Sequence, residues 1–235
     1  MFLGIDIGTS GVKAVVIDHH GAVVGQGTAA LTVQRPEPLW SEQDPEAWWA
    51  ATTAAVQGID PAVRRAVLGI GLAGQMHGAT LLGADDRPLR PAILWNDGRS
   101  HAECSELEDK TPAFRTRGGN IVMPGFTAPK LAWVARHESE IFAATRTVLL
   151  PKDYVRLQMT GDKATDMSDA AGTLWLDVAA RRWAEDLLEA TGLSLTHMPA
   201  LYEGTEATGT LRPDIAQLWG MAPVPVAAGG SNNAA

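Results

Sequence analysis

The sequence predicts an α/β domain in which helices flank a mixed β-sheet. One reason is that short β-branched runs alternate with segments of helical spacing along the chain. The other is that the first three runs, at residues 2–7, 12–17 and 23–24, are joined only by tight turns. Such links connect antiparallel strands, because a parallel pair needs a long crossover. A purely parallel sheet is therefore not expected.

The later elements are expected to alternate. A helix is predicted to begin at Asp44-Pro45, because Asp44 can cap it and proline suits its first turn, and to end at Gly58. Strands are expected near residues 66–73, 79–82, 92–95, 148–150 and 224–228. Helices are expected near residues 100–108, 130–140, 151–160 and 181–190.

The composition argues against some classes of function. The 235 residues are 46% hydrophobic and 20% charged, as in ordinary globular proteins. The net charge of -8 argues against a nucleic-acid or membrane-surface partner, although backbone N–H groups can still bind a nucleotide locally. Cys104 is the single cysteine, so no internal disulfide can form. With neither a signal peptide nor a membrane-length apolar run, we expect a cytoplasmic protein.

The first candidate motif follows the first strand. Asp6 precedes a turn that contains Gly8, Thr9 and Ser10, and Lys13 lies just beyond it. Glycines let phosphate oxygens approach the backbone closely, and an acid beside them can hold Mg²⁺ through water. The alternative is a plain β-turn. The Gly-Lys-Ser/Thr ending of a Walker A loop is absent, and the glycine spacing and the strand that follows do not match a dinucleotide-binding fingerprint.

The second motif is a loop between two predicted strands. Gln75 and His77 can hydrogen-bond the hydroxyls of a polyol, and Met76 can pack on the CH face of a sugar. Gly74 and Gly78 flank these residues and expose the loop. A lone histidine is more often structural, and that alternative stays open.

The third motif ends another predicted strand. Trp95, Asn96, Asp97 and Arg99 combine a flat aromatic face with directional polar groups, which suits a sugar. The alternative is that Asp97 caps the next helix and pairs with Arg99, and the two interpretations are compatible.

Together these segments resemble the FGGY family of carbohydrate kinases, most closely its bacterial members that phosphorylate xylulose. One segment is especially typical of the family: it has a small residue, threonine, lysine, an apolar residue and tryptophan at fixed offsets in residues 125–134. The resemblance covers essentially all 235 residues. Its other segments are residues 4–13, 39–45, 74–78, 93–99, 150–154 and 166–173.

The resemblance implies an actin/hexokinase-like (ribonuclease H-like) fold. Residues 1–235 would form the N-terminal sugar-binding lobe, and a C-terminal lobe that binds most of the ATP would lie beyond this chain. The implied reaction uses ATP and Mg²⁺ to convert D-xylulose into D-xylulose 5-phosphate. Asp6 would help organise Mg²⁺ and phosphate, while Met76 and His77 would contact the ketose. The Met-His pair favours xylulose over ribulose, gluconate or glycerol.

Two features depart from the family pattern. Asn232 stands where the family has the aspartate that takes the proton from the attacking hydroxyl, and the chain stops at Ala235. An amide cannot accept that proton at neutral pH, so we expect little or no turnover from this chain. A catalytically inactive ketose-binding module and a kinase for another sugar are the alternatives. Exposure of the surface that normally meets the second lobe would favour a homodimer.

Overall fold

The fold is described by a computed structural model for residues 1–232. Strands β1 to β8 are Phe2–Ile7, Gly11–Ile17, Val23–Ala30, Glu42–Gln43, Ile70–Gly74, Thr80–Leu82, Ala92–Ile93 and Thr147–Leu149. Strands β9 to β15 are Ala164–Asp166, Leu176–Asp177, Arg182–Trp183, Ala200–Tyr202, Ala207–Thr210, Pro225–Ala227 and Gly230–Ser231. Helices α1 to α10 are Pro45–Gln57, Pro61–Arg65, His101–Lys110, Ala113–Thr116, Thr127–His137, Ser139–Ala144, Pro151–Thr160, Met167–Ala171, Glu185–Glu189 and Pro213–Trp219, and a 3₁₀ turn spans Leu195–His197.

The central sheet is mixed, as the sequence predicts. Within residues 1–232 its main path runs β13-β14-β5-β1-β2-β3, and β15 also pairs with β5. The hairpin strands β1, β2 and β3 are antiparallel, whereas β1 and β14 both run parallel to β5. Because β1 and β5 are parallel neighbours, their carboxyl ends lie side by side at one edge of the sheet.

Strand β1 alternates strictly between the core and the outer face. In β1, Leu3, Ile5 and Ile7 are buried, whereas Gly4 and Asp6 are exposed. Helices α1, α7 and α10 contribute to the core on the buried side, and a second apolar cluster surrounds α5. None of the helices in residues 1–232 has the length and apolarity needed to cross a lipid bilayer.

Local sequence signals predict some helix ends well. Helix α1 begins at Pro45, and the Asp44 side chain accepts a hydrogen bond from the Glu46 N–H at 2.9 Å. Helix α7 ends where Gly161 adopts a φ of 83°, a left-handed conformation that glycine tolerates best. Both ends were expected from the sequence, because capping is a local interaction.

Two predicted helices are wrong in extent. The helix expected at residues 130–140 is divided into α5 and α6 at Glu138, whose carboxylate lies 2.9 Å from Arg90. Residues 181–190 do not form one helix, because Arg182–Trp183 pairs with Leu176–Asp177 as a hairpin. In both places, distant partners override the local helical pattern.

Candidate functional site

Three loops meet at the carboxyl ends of β1 and β5. Ile7 and Gly74 are register partners, and the Gln75 N–H donates to the Ile7 carbonyl at 2.8 Å. The turn after β1 therefore lies beside the loop after β5. The loop after β7 joins them through Trp95, whose indole Nε1 donates to Thr9 Oγ1 at 3.0 Å. Three of the predicted motifs thus share one region of the surface.

Thr9 and Gln75 are held by a residue that the sequence analysis missed. The Thr9 hydroxyl donates to Gln75 Oε1 at 3.1 Å, and Gln75 Nε2 donates to Gln43 Oε1 at 2.8 Å. Gln43 Nε2 in turn donates to the Thr9 carbonyl at 2.7 Å, which closes a ring of polar contacts. The only sequence signal for Gln43 is its place in the segment 39–45 that resembles the family.

Gln75 is turned toward the protein rather than the solvent. It is 2% exposed, and both ends of its amide bond protein groups. Met76 and His77 are only half-buried. These two side chains therefore supply the accessible surface of this loop.

His77 has a constrained backbone and a neutral ring. Its φ is 64°, which is uncommon for a residue other than glycine. The imidazole meets the ring of Phe126 edge-on at a centroid distance of 4.9 Å. Burial, followed by repulsion from the positive charge of Lys130, lowers the pKa of His77 to about 4. The ring is therefore uncharged at neutral pH and can exchange directional hydrogen bonds with hydroxyls.

The loop after β7 divides into an exposed part and a buried part. Trp95 is 41% exposed and Asn96 is also exposed, so both can meet a ligand. Asp97 and Arg99 have side chains only 1% exposed and form a two-pronged pair at 2.9 and 2.8 Å. The predicted pairing is therefore present, while direct sugar contact by either residue stays a prediction.

Asp97 does not cap the following helix, which begins after Ser100. Its carboxylate instead accepts from the N–H groups of Arg99, at 2.9 Å, and Ser41, at 2.6 Å. The Arg99 guanidinium also pairs with Glu42 at 2.7 Å and lies 3.6 Å above the ring of Trp40. This network fixes the base of the loop that carries Trp95.

A separate groove opens on the outer face of the sheet. It has a volume of about 590 Å³, and Asp6 and Lys13 project into it from adjacent strands. Several glycines line it, so the backbone is accessible over much of its floor. Asp6 is the one carboxylate among the lining residues, and His77 is not among them.

The groove and the His77 loop are neighbours along β5. Ala73 lines the groove, and the next residue, Gly74, accepts a hydrogen bond from the Asn232 N–H at 2.9 Å. Asn232 is exposed at the end of β15, which pairs with Ala73 and Gly74. Gly8 and Ser10 lie on the turn that follows Asp6 and Ile7. Asn232 thus stands where the groove gives way to the loop that carries Met76 and His77.

The groove can hold Mg²⁺ only if water or a bound phosphate supplies most of the oxygen ligands. In residues 1–232 no group of three or more His, Cys, Asp or Glu side chains is arranged to hold a metal. Mg²⁺ commonly takes one or two protein carboxylates and completes its shell with water and phosphate oxygens. A single exposed carboxylate at Asp6 is compatible with that mode, and its role stays a prediction.

A buried charge cluster lies behind the site. Lys152 is fully buried, with Nζ 2.6 Å from Asp153, 2.7 Å from Asp166 and 3.3 Å from Asp169. Burial raises the pKa of Asp169 to about 7, and the nearby carboxylates add to the shift while Lys152 opposes it. A methyl group on Gly74 would lie 3.1 Å from Lys152 Cβ, so the cluster packs directly against the end of β5.

Comparison of sequences identifies relatives along the whole chain. The profile of the FGGY family of carbohydrate kinases, N-terminal domain, matches residues 1–235. The xylulose kinase of Escherichia coli (strain K12) is 60% identical over 236 residues, which cover 100% of this chain and 49% of that protein. The xylulose kinase of Bacillus subtilis (strain 168) is 39% identical over 237 residues, which cover 99% of this chain and 48% of that protein. The chain spans about half the length of the curated relatives it matches.

Solved structures of related kinases have the same fold as this chain. A xyloylose kinase from Brucella ovis matches with a TM-score of 0.94 and 56% identity, over 98% of this chain and 48% of that one. The xylulose kinase from Rhodospirillum rubrum matches with a TM-score of 0.93 and 28% identity, over 98% of this chain and 49% of that one. The predicted actin/hexokinase-like fold, with its mixed sheet and flanking helices, is confirmed.

Proposed function

We propose that this chain, which belongs to the FGGY family of carbohydrate kinases, forms the sugar-binding lobe of an enzyme that phosphorylates D-xylulose with ATP. The observation that carries the proposal is the continuity along β5. Ala73 belongs to the glycine-lined groove, Gly74 bonds Asn232, and Met76 and His77 follow at once. A phosphate-accepting surface and a polyol-accepting loop would then be adjacent. The identity to two xylulose kinases supports xylulose as the sugar.

The residues of this chain would divide the work between the two surfaces. The Thr9 and Ser10 N–H groups and the Ser10 hydroxyl would donate to phosphate oxygens, and Lys13 adds a positive charge. The Gly8 N–H and the Thr9 hydroxyl already bond the Gly11 carbonyl and Gln75, so Gly8 would serve by letting phosphate approach the backbone. Asp6 would hold Mg²⁺ through water, and that ion neutralises phosphate charge when ATP is bound. Met76 and the exposed face of Trp95 would cover the apolar side of the ketose. His77 and Asn96 would bond its hydroxyls, with the Gln43–Gln75 network fixing the loop.

Asn232 limits what this chain can catalyse. An amide does not take up a proton at neutral pH, and general-base help contributes typically about 10²–10⁴-fold to a rate. We expect sugar binding with little or no turnover. Substituting Asn232→Asp in the full protein that the gene encodes should raise the rate of D-xylulose-dependent ADP release by about 10²-fold or more. Ser231→Asp is the control, because it adds the same carboxylate one residue away.

A direct test is calorimetry of the 235-residue chain with D-xylulose in the absence of nucleotide. Binding that is lost in His77→Ala would support the sugar site. Rapid phosphorylation by the chain with Asn232 unchanged would contradict the expected lack of turnover. No binding of D-xylulose, with tight binding of glycerol, ribulose or gluconate, would assign a different sugar.

An inactive ketose-binding module is the second candidate, and Asn232 is the observation that favours it. The Asn232→Asp measurement distinguishes the two, since a module whose other catalytic groups are lost would stay inactive.

The remaining expectations belong to the proposal as well. A cytoplasmic location fits the buried, unpaired thiol of Cys104. The net charge of -8 suits a small neutral sugar better than a nucleic acid or a membrane surface. Self-association to a homodimer would be detected by light scattering, and a strictly monomeric species at high concentration would contradict it.

A further inference from the structure

Lys130 has an unusual environment for a lysine. It lies in the first turns of α5 and is 0% exposed. Its ammonium contacts three backbone carbonyl oxygens, those of Gly125, Phe126 at 3.0 Å and His77 at 3.4 Å. Within residues 1–232 no carboxylate forms an ion pair with it. Burial lowers the pKa of Lys130 to about 7, and the negative charge of Asp97 opposes this shift, so the three carbonyl contacts only partly offset the cost of burying the ammonium.

The carbonyl of His77 is the one distant partner of this ammonium. Gly125 and Phe126 are four or five residues from Lys130, whereas His77 is 53 residues away. Thr127, also on α5, donates its hydroxyl to the same His77 carbonyl at 3.1 Å. Two side chains of one helix therefore hold a single peptide oxygen of the loop after β5.

That peptide needs to be held. His77 adopts a left-handed backbone, which costs of order 1 kcal/mol or more for a residue other than glycine. The Gly78 N–H donates to the Met76 carbonyl at 2.8 Å across this residue, and the two hydrogen bonds from α5 restrain the same turn from outside the loop. Without them, the backbone at residue 77 is expected to relax toward a more common conformation.

The same segment also bounds the imidazole. Phe126 packs edge-on against the ring at 4.9 Å, and on another side the ring lies so close to Gly172 that a methyl group there would overlap Cε1 and Nδ1. The Nδ1 atom is buried in this contact. The ring position therefore depends on where α5 and its preceding loop hold the peptide.

We propose that Lys130 and Thr127 are positioning residues that set the orientation of the His77 imidazole toward the sugar. The inference rests on the proposed sugar-binding role of His77. The proposal gives a reason for the buried lysine in the segment 125–134. The sequence alone does not indicate what this lysine does.

The test uses Thr127→Val and Lys130→Met in the 235-residue chain. Thr127→Val removes one hydroxyl at nearly constant volume and should weaken D-xylulose binding roughly fivefold, the equivalent of one net hydrogen bond. Lys130→Met removes the ammonium at similar length and should weaken binding at least as much. Thr145→Val is the matched control, because Thr145 is equally buried and donates to the Ile141 carbonyl at 2.9 Å, away from His77.

Two measurements separate positioning from general stability. Calorimetry gives the affinity for D-xylulose, and NMR of imidazole-labelled histidine reports the ring of His77. We expect the His77 resonances to shift in Thr127→Val but not in Thr145→Val. Both variants should lose a similar amount of stability in urea denaturation.

Unchanged His77 resonances and affinity in Thr127→Val would overturn the inference, even if Lys130→Met failed to fold. Absence of D-xylulose binding by the unsubstituted chain would instead refute the proposed function, while the resonances would still decide whether α5 orients the ring.

Discussion

Replacing Lys152 by methionine is expected to destabilise the fold severely. The ammonium lies 2.6 Å from Asp153, 2.7 Å from Asp166 and 3.3 Å from Asp169, and all four side chains are at most 1% exposed. Methionine fills a similar volume, so the change removes charge rather than packing. Breaking a buried charge arrangement by removing one partner costs about 3–5 kcal/mol, because the other charges stay buried and uncompensated.

That loss is large beside the roughly 5–15 kcal/mol that stabilises a typical domain. Urea denaturation at pH 7.5, followed by tryptophan fluorescence, would measure it. Lys110→Met is the control, since Lys110 pairs with Glu106 on the surface and its side chain is 74% exposed, and it should leave the midpoint essentially unchanged. Adding Asp169→Asn to Lys152→Met should recover part of the stability, because one uncompensated carboxylate is removed. A loss below about 1 kcal/mol for Lys152→Met would refute the argument, which requires an uncompensated buried charge.

Two further predictions concern pH. Burial raises the pKa of Asp169 to about 7, so the folded state binds a proton that the unfolded state releases above its ordinary pKa. The free energy of unfolding relative to Asp169→Asn should therefore decline from about pH 4 to about pH 7 and then level off, and a flat difference over that range would contradict the assignment. Burial lowers the pKa of His77 to about 4, so protonation of the ring should weaken D-xylulose affinity only on approach to pH 4. Burial also lowers the pKa of Lys130 to about 7, so loss of the Lys130 proton should weaken the affinity as the pH rises from about 6 to about 8. A calorimetric affinity that falls as the pH is lowered through the ordinary histidine pKa of about 6.5 would show that the ring is not buried as described.

Local signals account for the parts of the fold that were predicted well. The alternation in β1, the Asp44 cap and the stop at Gly161 each involve residues close in sequence, so they can be recognised without a tertiary structure. The wrong prediction at residues 181–190 has the opposite cause. Arg182–Trp183 pairs with Leu176–Asp177, and hairpin pairing there overrides a pattern that is locally helical.

In the candidate site, too, local signals were recognised from the sequence and contacts between distant residues were not. Gly-flanked loops and strand ends identified Met76, His77 and Trp95 as accessible groups, because loops at such positions run over the surface of a protein. Gln43 was missed, because its role consists of bonds to Thr9 and Gln75, which lie more than thirty residues away on either side. Sequence motifs also could not show that Gln75 is turned inward or that Asp97 bonds the N–H of Ser41.

The sequence by itself determined the mixed α/β sheet, the opening hairpins, the order of the motifs and the absence of a carboxylate at Asn232. These follow from side-chain chemistry and from periodicity, which act over a few residues. Only the tertiary structure decided that Ala73 and Gly74 join the groove to the His77 loop, and that Lys130 and Thr127 hold the His77 carbonyl. Such contacts depend on how α5 lies against the loop after β5, and packing between distant segments is not encoded in any single stretch of chain.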